Sequence, residues 1–249
     1  VLADGDAQSK VRQGVTLDVI GESNSVGPVV GPAADEYREE QRLRSGVDVT
    51  WTDFTGYFQQ LIRQGTSINI ASSVAPQQIR RAVVGFDDRA AGPDELQQMN
   101  SLVVQAMEQG AVGLSAAWHS GGPEYVDELI EMAVVANQHG GYYGTHVGSE
   151  GFDIGTELDK TFQIARASGI PVHIYHLKIR GREHWGQIGR VIDTIQSAMA
   201  EGLEVTADQY PYTAMQHPWH RLMPRWIQDA PRSETIPRFR DRQFRDRVK

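Results

Sequence analysis

The feature of this chain that most constrains its fold is a unit of about 30 residues that repeats through its middle. Each unit runs from a helical pattern through a glycine into a short apolar segment, which ends on polar residues. The apolar segments begin at Ala111, Gly141, Pro171 and Leu203, so they are 30, 30 and 32 residues apart. That spacing is typical of one βα unit. In such proteins the chemistry gathers at the carboxyl ends of parallel strands, which here are 115–119, 145–146, 176–178 and 208–212.

Two earlier segments, 15–20 and 66–72, have the same apolar character, so six strands are predicted in all. The helices between strands carry one-sided apolar stripes, and three of them end at Gly110, Gly140 and Gly202. This pattern predicts an α/β protein with a parallel sheet, either doubly wound or closed into a barrel. The chain has neither a Gly-x-Gly-x-x-Gly turn nor a Walker-type loop. We therefore favour a partial TIM-like (β/α) barrel.

The length of 249 residues is enough for one large core, so we expect residues 1–249 to form a single catalytic barrel domain. Residues 27–49 contain a Gly-Pro pair and a charged run, and we interpret them as an excursion loop between two strands. The chain begins at Val1 and stops inside a charged run at Lys249, and only six of a barrel's eight strands are visible. We therefore expect the domain to be truncated, with the first and last strands missing.

The composition argues against two classes of partner. The net charge is −8 and the isoelectric point is near 5.5, which disfavours nucleic acid and anionic membranes as partners. The mean hydropathy is −0.42, and no apolar stretch approaches the 18 residues of a membrane span. Cysteine is absent, so thiolate ligands and disulfides are excluded within these residues. We expect a soluble, cytoplasmic protein.

The sharpest local signal is the segment 171–178, which contains two histidines and a lysine. Side chains alternate along a strand, so Ile174, His176 and Lys178 are expected on one face. A histidine beside a lysine at a strand end suits a metal ligand next to a cation that orients the substrate. A hydrogen-bonded core histidine is the alternative, and the residues alone leave both open.

Other polar residues near the predicted strand ends have competing interpretations. His146 lies one repeat before His176, so the two imidazoles could share an ion, or His146 could be an isolated polar residue. For Glu150 we favour a helix-capping carboxylate. Taken alone, Glu22 is best explained as a solvated loop residue, although a carboxylate there could bind a divalent ion. Tyr210 could simply pack.

Several motifs together resemble one known family. They are Gly21-Glu22 with Ser25-Val26-Gly27-Pro28, Gly113-Leu114-Ser115, Thr145-His146 with Ser149-Glu150, His176-Leu177-Lys178, Trp185-Gly186 and Asp208-Gln209-Tyr210-Pro211-Tyr212. In this order they resemble the N-acyl-D-amino-acid deacylases, or D-aminoacylases, of the amidohydrolase superfamily. The resemblance runs from about Gly14 to Ala214.

The resemblance implies a metal-dependent barrel hydrolase that removes the acyl group from an N-acylated D-amino acid, a small-molecule substrate. It implies one or two divalent ions, usually zinc, that assist attack of water on the amide carbonyl. By the same match, His146 and His176 become metal ligands at the ends of the fifth and sixth barrel strands. Glu22 takes the position of a cysteine ligand, where a bridging carboxylate could replace the thiolate. Lys178 and Tyr210 match positions expected to hold the substrate carboxylate.

The chain departs from the family pattern in three places. The His-x-His pair of the first strand and the catalytic aspartate of the last strand are not found in these 249 residues, so we expect both outside this segment. Gly148 stands where many members have an arginine, which leaves the substrate specificity open. The alternative function is a barrel without metal that serves as a binding or regulatory module.

Overall fold

The computed structural model describes residues 1–22, 24–117, 126–215, 223–228 and 232–248. They divide into two compact units, Val1–Gln209 and Tyr210–Lys249. Part of the predicted polar end at 115–119 lies outside the described residues, because the description stops at Ala117. In the part of the chain that is described, no helix is both long and apolar enough to cross a membrane.

The first unit is built on a six-stranded parallel sheet. The strands are β1 (Leu17–Ile20), β2 (Asn69–Val74), β3 (Ala111–Ala117), β4 (Tyr142–His146), β5 (Val172–Ile174) and β6 (Val205–Ala207). Each strand pairs in parallel with the next one along the chain, so the order in the sheet is β1-β2-β3-β4-β5-β6. A doubly wound sheet would reverse its order at a switch point. The unbroken order is that of a (β/α) barrel, and the six strands form an incomplete one.

Helix α1 (Gln8–Val11) precedes β1, and the other helices of this unit lie between strands. They are α2 (Ala34–Ser45), α3 (Phe54–Gln64), α4 (Pro76–Val83), α5 (Pro93–Glu108), α6 (Val126–Gln138), α7 (Ile154–Ser168) and α8 (Ile188–Ala200), with a 3₁₀ turn at Arg182–His184. Helix α2 occupies much of the predicted excursion, and its ion pairs are exposed ones between residues three or four positions apart. The second unit contains α9 (Arg225–Gln228), α10 (Arg232–Arg238) and α11 (Arg242–Val248).

The core of the first unit lies between the sheet and the helices. The predicted stripe of α5 is buried there through Met99, Val103 and Ala106, and the stripe of α6 through Met132 and Ala133. Helix α8 packs less completely than its one-sided apolar pattern predicts: Val191 is buried, but Ile188 and Ile192 are exposed at 42% and 44%.

The two faces of the sheet differ in character. Leu114 and Ile174 are fully buried in the core cluster that includes the helix residues. Three hydroxyl groups meet on the other face: the Ser73 hydroxyl lies 2.8 Å from that of Tyr142, which lies 3.3 Å from that of Tyr175. Burial raises the pKa of the Tyr175 phenol, so this group is a neutral hydrogen-bonding partner. The inner wall of this incomplete barrel is therefore polar where side chains from β2, β4 and the residue after β5 meet.

Candidate metal centre

Three side chains from separate strand ends converge on one point. Glu22 follows β1, His146 is the last residue of β4, and His176 comes two residues after β5. Oε1 of Glu22 lies 2.9 Å from Nδ1 of His146 and 3.0 Å from Nε2 of His176. The ligand atoms of all three residues lie within 4.8 Å of one another. The geometry therefore brings together the three residues that sequence reasoning proposed as ligands.

The donor set fits a zinc ion. Imidazole nitrogens and carboxylate oxygens are common zinc ligands at about 2.0–2.2 Å, which separates two tetrahedral ligands by about 3.4 Å. The observed separations of 2.9 Å and 3.0 Å need only small side-chain movements to reach that value. The imidazole rings of His146 and His176 lie 4.2 Å apart between centroids and are tilted by 77°, so both can point to one ion without stacking.

Local backbone geometry brings Glu22 to this point. Gly21 directly follows β1 and has a φ of 106°, which side chains rarely allow. A Cβ on Gly21 would lie 2.4 Å from the backbone oxygen of Ser73 in the neighbouring strand. Glycine is therefore required where the chain leaves β1, one residue before the carboxylate.

Glu22 forms hydrogen bonds with both histidines, and these contacts shift the pKa values of Glu22 and His176. Hydrogen bonds from His146, and then from His176, lower the pKa of Glu22 to about 2 against the opposing effect of burial. Burial on its own would lower the pKa of His176, but hydrogen bonds to the Glu150 and Glu22 carboxylates outweigh it and raise the pKa to about 9. In the metal-free protein Glu22 is thus ionised and His176 protonated at neutral pH.

The backbone at His176 corrects the prediction for this segment. Strand β5 ends at Ile174, and His176 has a left-handed φ of 38°. The expected extended strand through Lys178, with Ile174 and His176 on one face, is wrong. Ile174 is buried in the core cluster, whereas the imidazole of His176 reaches Glu22. The left-handed residue breaks the side-chain alternation and turns the imidazole away from the side that Ile174 occupies.

The structure also corrects the prediction for Glu150. Helix α7 begins at Ile154 after Asp153, and the Glu150 carboxylate forms an ion pair with Lys178 instead of capping it. Its Oε1 also lies 3.2 Å from Nδ1 of His176. Lys178, predicted to hold the substrate, has its ammonium 3.0 Å from that same Nδ1 atom. The lysine ammonium thus lies beside His176, and the roles of both residues stay predictions.

The other predicted substrate residue, Tyr210, belongs to the second unit, where its ring stacks on Tyr212 with 5.5 Å between centroids. Its role in binding substrate stays a prediction.

Comparison with known proteins finds clear relatives, although no protein-family model matches the chain. A D-aminoacylase of Alcaligenes xylosoxydans xylosoxydans is 32% identical over 212 residues, which is 84% of this chain and 43% of the relative. An N-acyl-D-glutamate deacylase of the same organism is 30% identical over 210 residues, which is 82% of this chain and 42% of the relative. The chain is therefore similar to D-aminoacylases over most of its own length. The resemblance carried by the sequence motifs is thereby confirmed.

Solved structures of family members match the fold. A crystal structure of a D-aminoacylase, described as defining a novel subset of amidohydrolases, is 31% identical with a TM-score of 0.73. It is matched over 85% of this chain and 44% of its own. The N-acyl-D-glutamate deacylase of Bordetella bronchiseptica, solved with zinc and a phosphonate inhibitor, is 26% identical with a TM-score of 0.75. That match covers 84% of this chain and 44% of the other. The chain thus spans less than half the length of these D-aminoacylase relatives.

Sequence reasoning missed two residues that support the centre. The Asp208 carboxylate accepts a hydrogen bond from the backbone N–H of His176, and the Glu150 carboxylate contacts the imidazole of His176. Asp208 sits at a predicted strand end, Glu150 follows one, and both belong to motifs of the family resemblance, but none of these signals indicates a contact with His176. Neither contact follows from strand alternation, because both depend on the turn at His176.

Proposed function

We propose that the full-length protein is a metal-dependent hydrolase that cleaves the amide bond of N-acyl-D-amino acids. The observation that carries the proposal is the convergence of Glu22, His146 and His176 at the carboxyl ends of three strands of an incomplete barrel. The relatives support the substrate class, since they are named for N-acyl-D-amino acids and one was solved with zinc and a phosphonate inhibitor.

We propose Glu22, His146 and His176 as the residues that would hold the metal. When bound, a zinc ion there supplies Lewis-acid chemistry to the amide carbonyl and lowers the pKa of water. The two imidazoles contribute neutral donors, and the Glu22 carboxylate offsets part of the ion's positive charge. The three side chains are between 18% and 43% exposed, so a small substrate can reach the centre.

Lys178 is proposed to bind the carboxylate of the substrate. Its ammonium lies 3.0 Å from Nδ1 of His176, so a carboxylate that it binds would be held next to this proposed ligand. The Glu150 carboxylate neutralises the Lys178 ammonium in the absence of substrate. The carboxylate of an incoming substrate would share that ammonium with Glu150. Tyr210 is proposed as a substrate-binding residue on the strength of the motif match alone.

The test uses the full-length protein with zinc measured by elemental analysis and hydrolysis measured on a panel of N-acetyl-D- and N-acetyl-L-amino acids. The panel includes neutral and acidic side chains. We expect bound zinc and hydrolysis of D-substrates in the wild type, with both reduced in Glu22→Gln, His146→Ala and His176→Ala.

His139→Ala is the matched control, because His139 is an exposed histidine at the end of α6 whose Nδ1 contacts the backbone oxygen of Val135. It should change neither zinc content nor rate. Unchanged zinc in His176→Ala would contradict the ligand assignment. A wild type with no bound zinc and no hydrolysis would instead favour the metal-free binding module.

A further inference from the structure

We propose that Glu150 is a positioning residue that fixes His176 in the tautomer able to bind metal. This inference rests on the proposed metal centre and deepens it. The residue follows β4, and its carboxylate is only 8% exposed. A buried carboxylate needs hydrogen-bonding partners, and Glu150 has two at one oxygen: the Lys178 ammonium and Nδ1 of His176.

The tautomer of His176 follows from which nitrogen faces the centre. Nε2 is the atom that lies 3.0 Å from Oε1 of Glu22, so Nε2 must offer its lone pair to an ion. The single proton of a neutral imidazole must then sit on Nδ1, which needs an acceptor. Oε1 of Glu150 lies 3.2 Å away and supplies it. His146 uses the opposite nitrogen, since its Nδ1 faces Glu22.

Lys178 makes this acceptor necessary. Its ammonium lies 3.0 Å from Nδ1 of His176 and donates to the backbone oxygen of the same residue at 3.1 Å. An ammonium group can only donate hydrogen bonds, so beside a bare Nδ1 it would favour the tautomer with the proton on Nε2. That tautomer cannot bind an ion at Nε2. The Glu150 carboxylate accepts from both groups and keeps the lysine from selecting the wrong tautomer.

The loop holds Glu150 in place for this role. The backbone oxygen of Glu150 accepts the N–H of Arg180 at 2.6 Å, which ties the loop after β4 to the loop after β5. The carboxylate is therefore positioned before any ligand arrives, as expected for a residue that orients a metal ligand.

The experiment compares zinc affinity of the full-length wild type and Glu150→Gln, measured by competition with a chromophoric chelator. The amide keeps the side-chain volume but loses the charge that accepts from both donors. We expect zinc affinity to fall by about 10- to 100-fold, the usual effect of losing a partner that orients a ligand. Glu128→Gln is the matched control, because Glu128 is equally buried and paired with Arg80 in the helical layer. It should leave zinc affinity unchanged.

A second readout locates the proton itself. In the zinc-loaded wild type with 15N-labelled histidine, NMR should show a hydrogen-bonded proton on Nδ1 of His176, assigned by its loss in His176→Ala. In Glu150→Gln that signal should move upfield and exchange faster with water. A purely structural role for Glu150 would change protein stability without moving this proton.

The outcomes separate the two proposals. A wild type that binds zinc, with equal affinity in Glu150→Gln, would overturn the role of Glu150 and leave the proposed function standing. A wild type without zinc would overturn both. If Glu150→Gln does not fold, the wild-type spectrum still decides, since a proton found on Nε2 of His176 would overturn the inference.

Discussion

The carboxylate of Asp208 accepts a hydrogen bond from the backbone N–H of His176, with 2.5 Å between Oδ1 and the nitrogen. The other oxygen of Asp208 lies 2.9 Å from Nε2 of His173, and its backbone oxygen accepts the N–H of Leu177 at 2.8 Å. Asp208 thus ties the end of β6 to the turn that follows β5. A left-handed residue other than glycine costs about 1–2 kcal/mol, and these bonds offset that cost.

Removing this tie should weaken both the fold and the metal centre. We expect Asp208→Ala to lower the free energy of unfolding of the metal-free protein by about 1 kcal/mol, because the side chain is half exposed and the bond it loses is partly replaced by water. Urea unfolding measures the change, and zinc affinity should fall as well. Asp208→Asn keeps an acceptor for the His176 N–H and serves as the control. An equal loss in both variants would show that the charge, not the acceptor, matters.

The left-handed backbone at His176 gives a prediction independent of its imidazole. Both His176→Gly and His176→Ala remove the ligand, but glycine adopts a φ of 38° without the steric cost that alanine incurs. In the metal-free protein, the glycine variant should be more stable than the alanine variant by about 1 kcal/mol in urea unfolding. An alanine variant as stable as the glycine variant would mean that the turn relaxes to an ordinary conformation.

Zinc affinity should rise with pH. The pKa of about 9 means that His176 carries an extra proton at neutral pH, and an ion must displace it. Displacing one proton changes the apparent association constant by about tenfold per pH unit, so affinity should climb up to pH 9 and then level off. Chelator competition at fixed ionic strength, corrected for protonation of the chelator, measures this. A flat profile from pH 7 to 9 would contradict the assigned protonation state.

The extra proton on His176 also makes the free energy of unfolding depend on pH, and this quantity falls as pH rises whereas zinc affinity increases. Since the pKa of His176 is raised on folding from 6.5 to about 9, its contribution is fully present below pH 6.5 and is lost as pH rises through 9. Metal-free protein should therefore lose part of its stability over this range, as the affinity for zinc increases.

Gly144 should tolerate no side chain. It lies in β4 two residues before His146, and a Cβ there would come within 2.1 Å of the hydroxyl oxygen of Tyr175. We expect Gly144→Ala to cost about 1–3 kcal/mol, as overpacking does in well-packed regions. Gly155→Ala is the control, because nothing lies within 4 Å of its Cβ position in α7. It should be neutral or slightly stabilising in thermal unfolding. Equal effects of the two substitutions would argue against the close contact.

Much of the fold could be predicted because its signals are local. Helix α5 begins with Pro93, buries residues spaced three and four apart, and ends before Gly110, which has a positive φ. Strand β3 begins at Ala111, as its apolar run indicated. Such features depend on a few neighbouring residues, so the sequence alone specifies them.

The supporting part of the site could not be predicted in this way. The turn at His176 depends on Asp208, which is 32 residues away, and the position of Glu150 depends on Lys178, which is 28 residues away. The three proposed ligands could be picked out from the sequence because each sits at or just after a strand end. The residues that support them, Asp208 and Glu150, make contacts that depend on three-dimensional geometry, and the periodicity of side chains does not encode that geometry.

Glu22 and His176 are separated by 154 residues, and the strands β2, β3 and β4 lie between them in the sheet. The complete ligand set cannot exist before the first five strands have paired in order. Closing so long a stretch of chain lowers the conformational entropy, and the free energy gained by strand pairing must offset that loss first. An ion can therefore stabilise the finished sheet but cannot nucleate it, so metal uptake marks a late event in the maturation of the newly made chain.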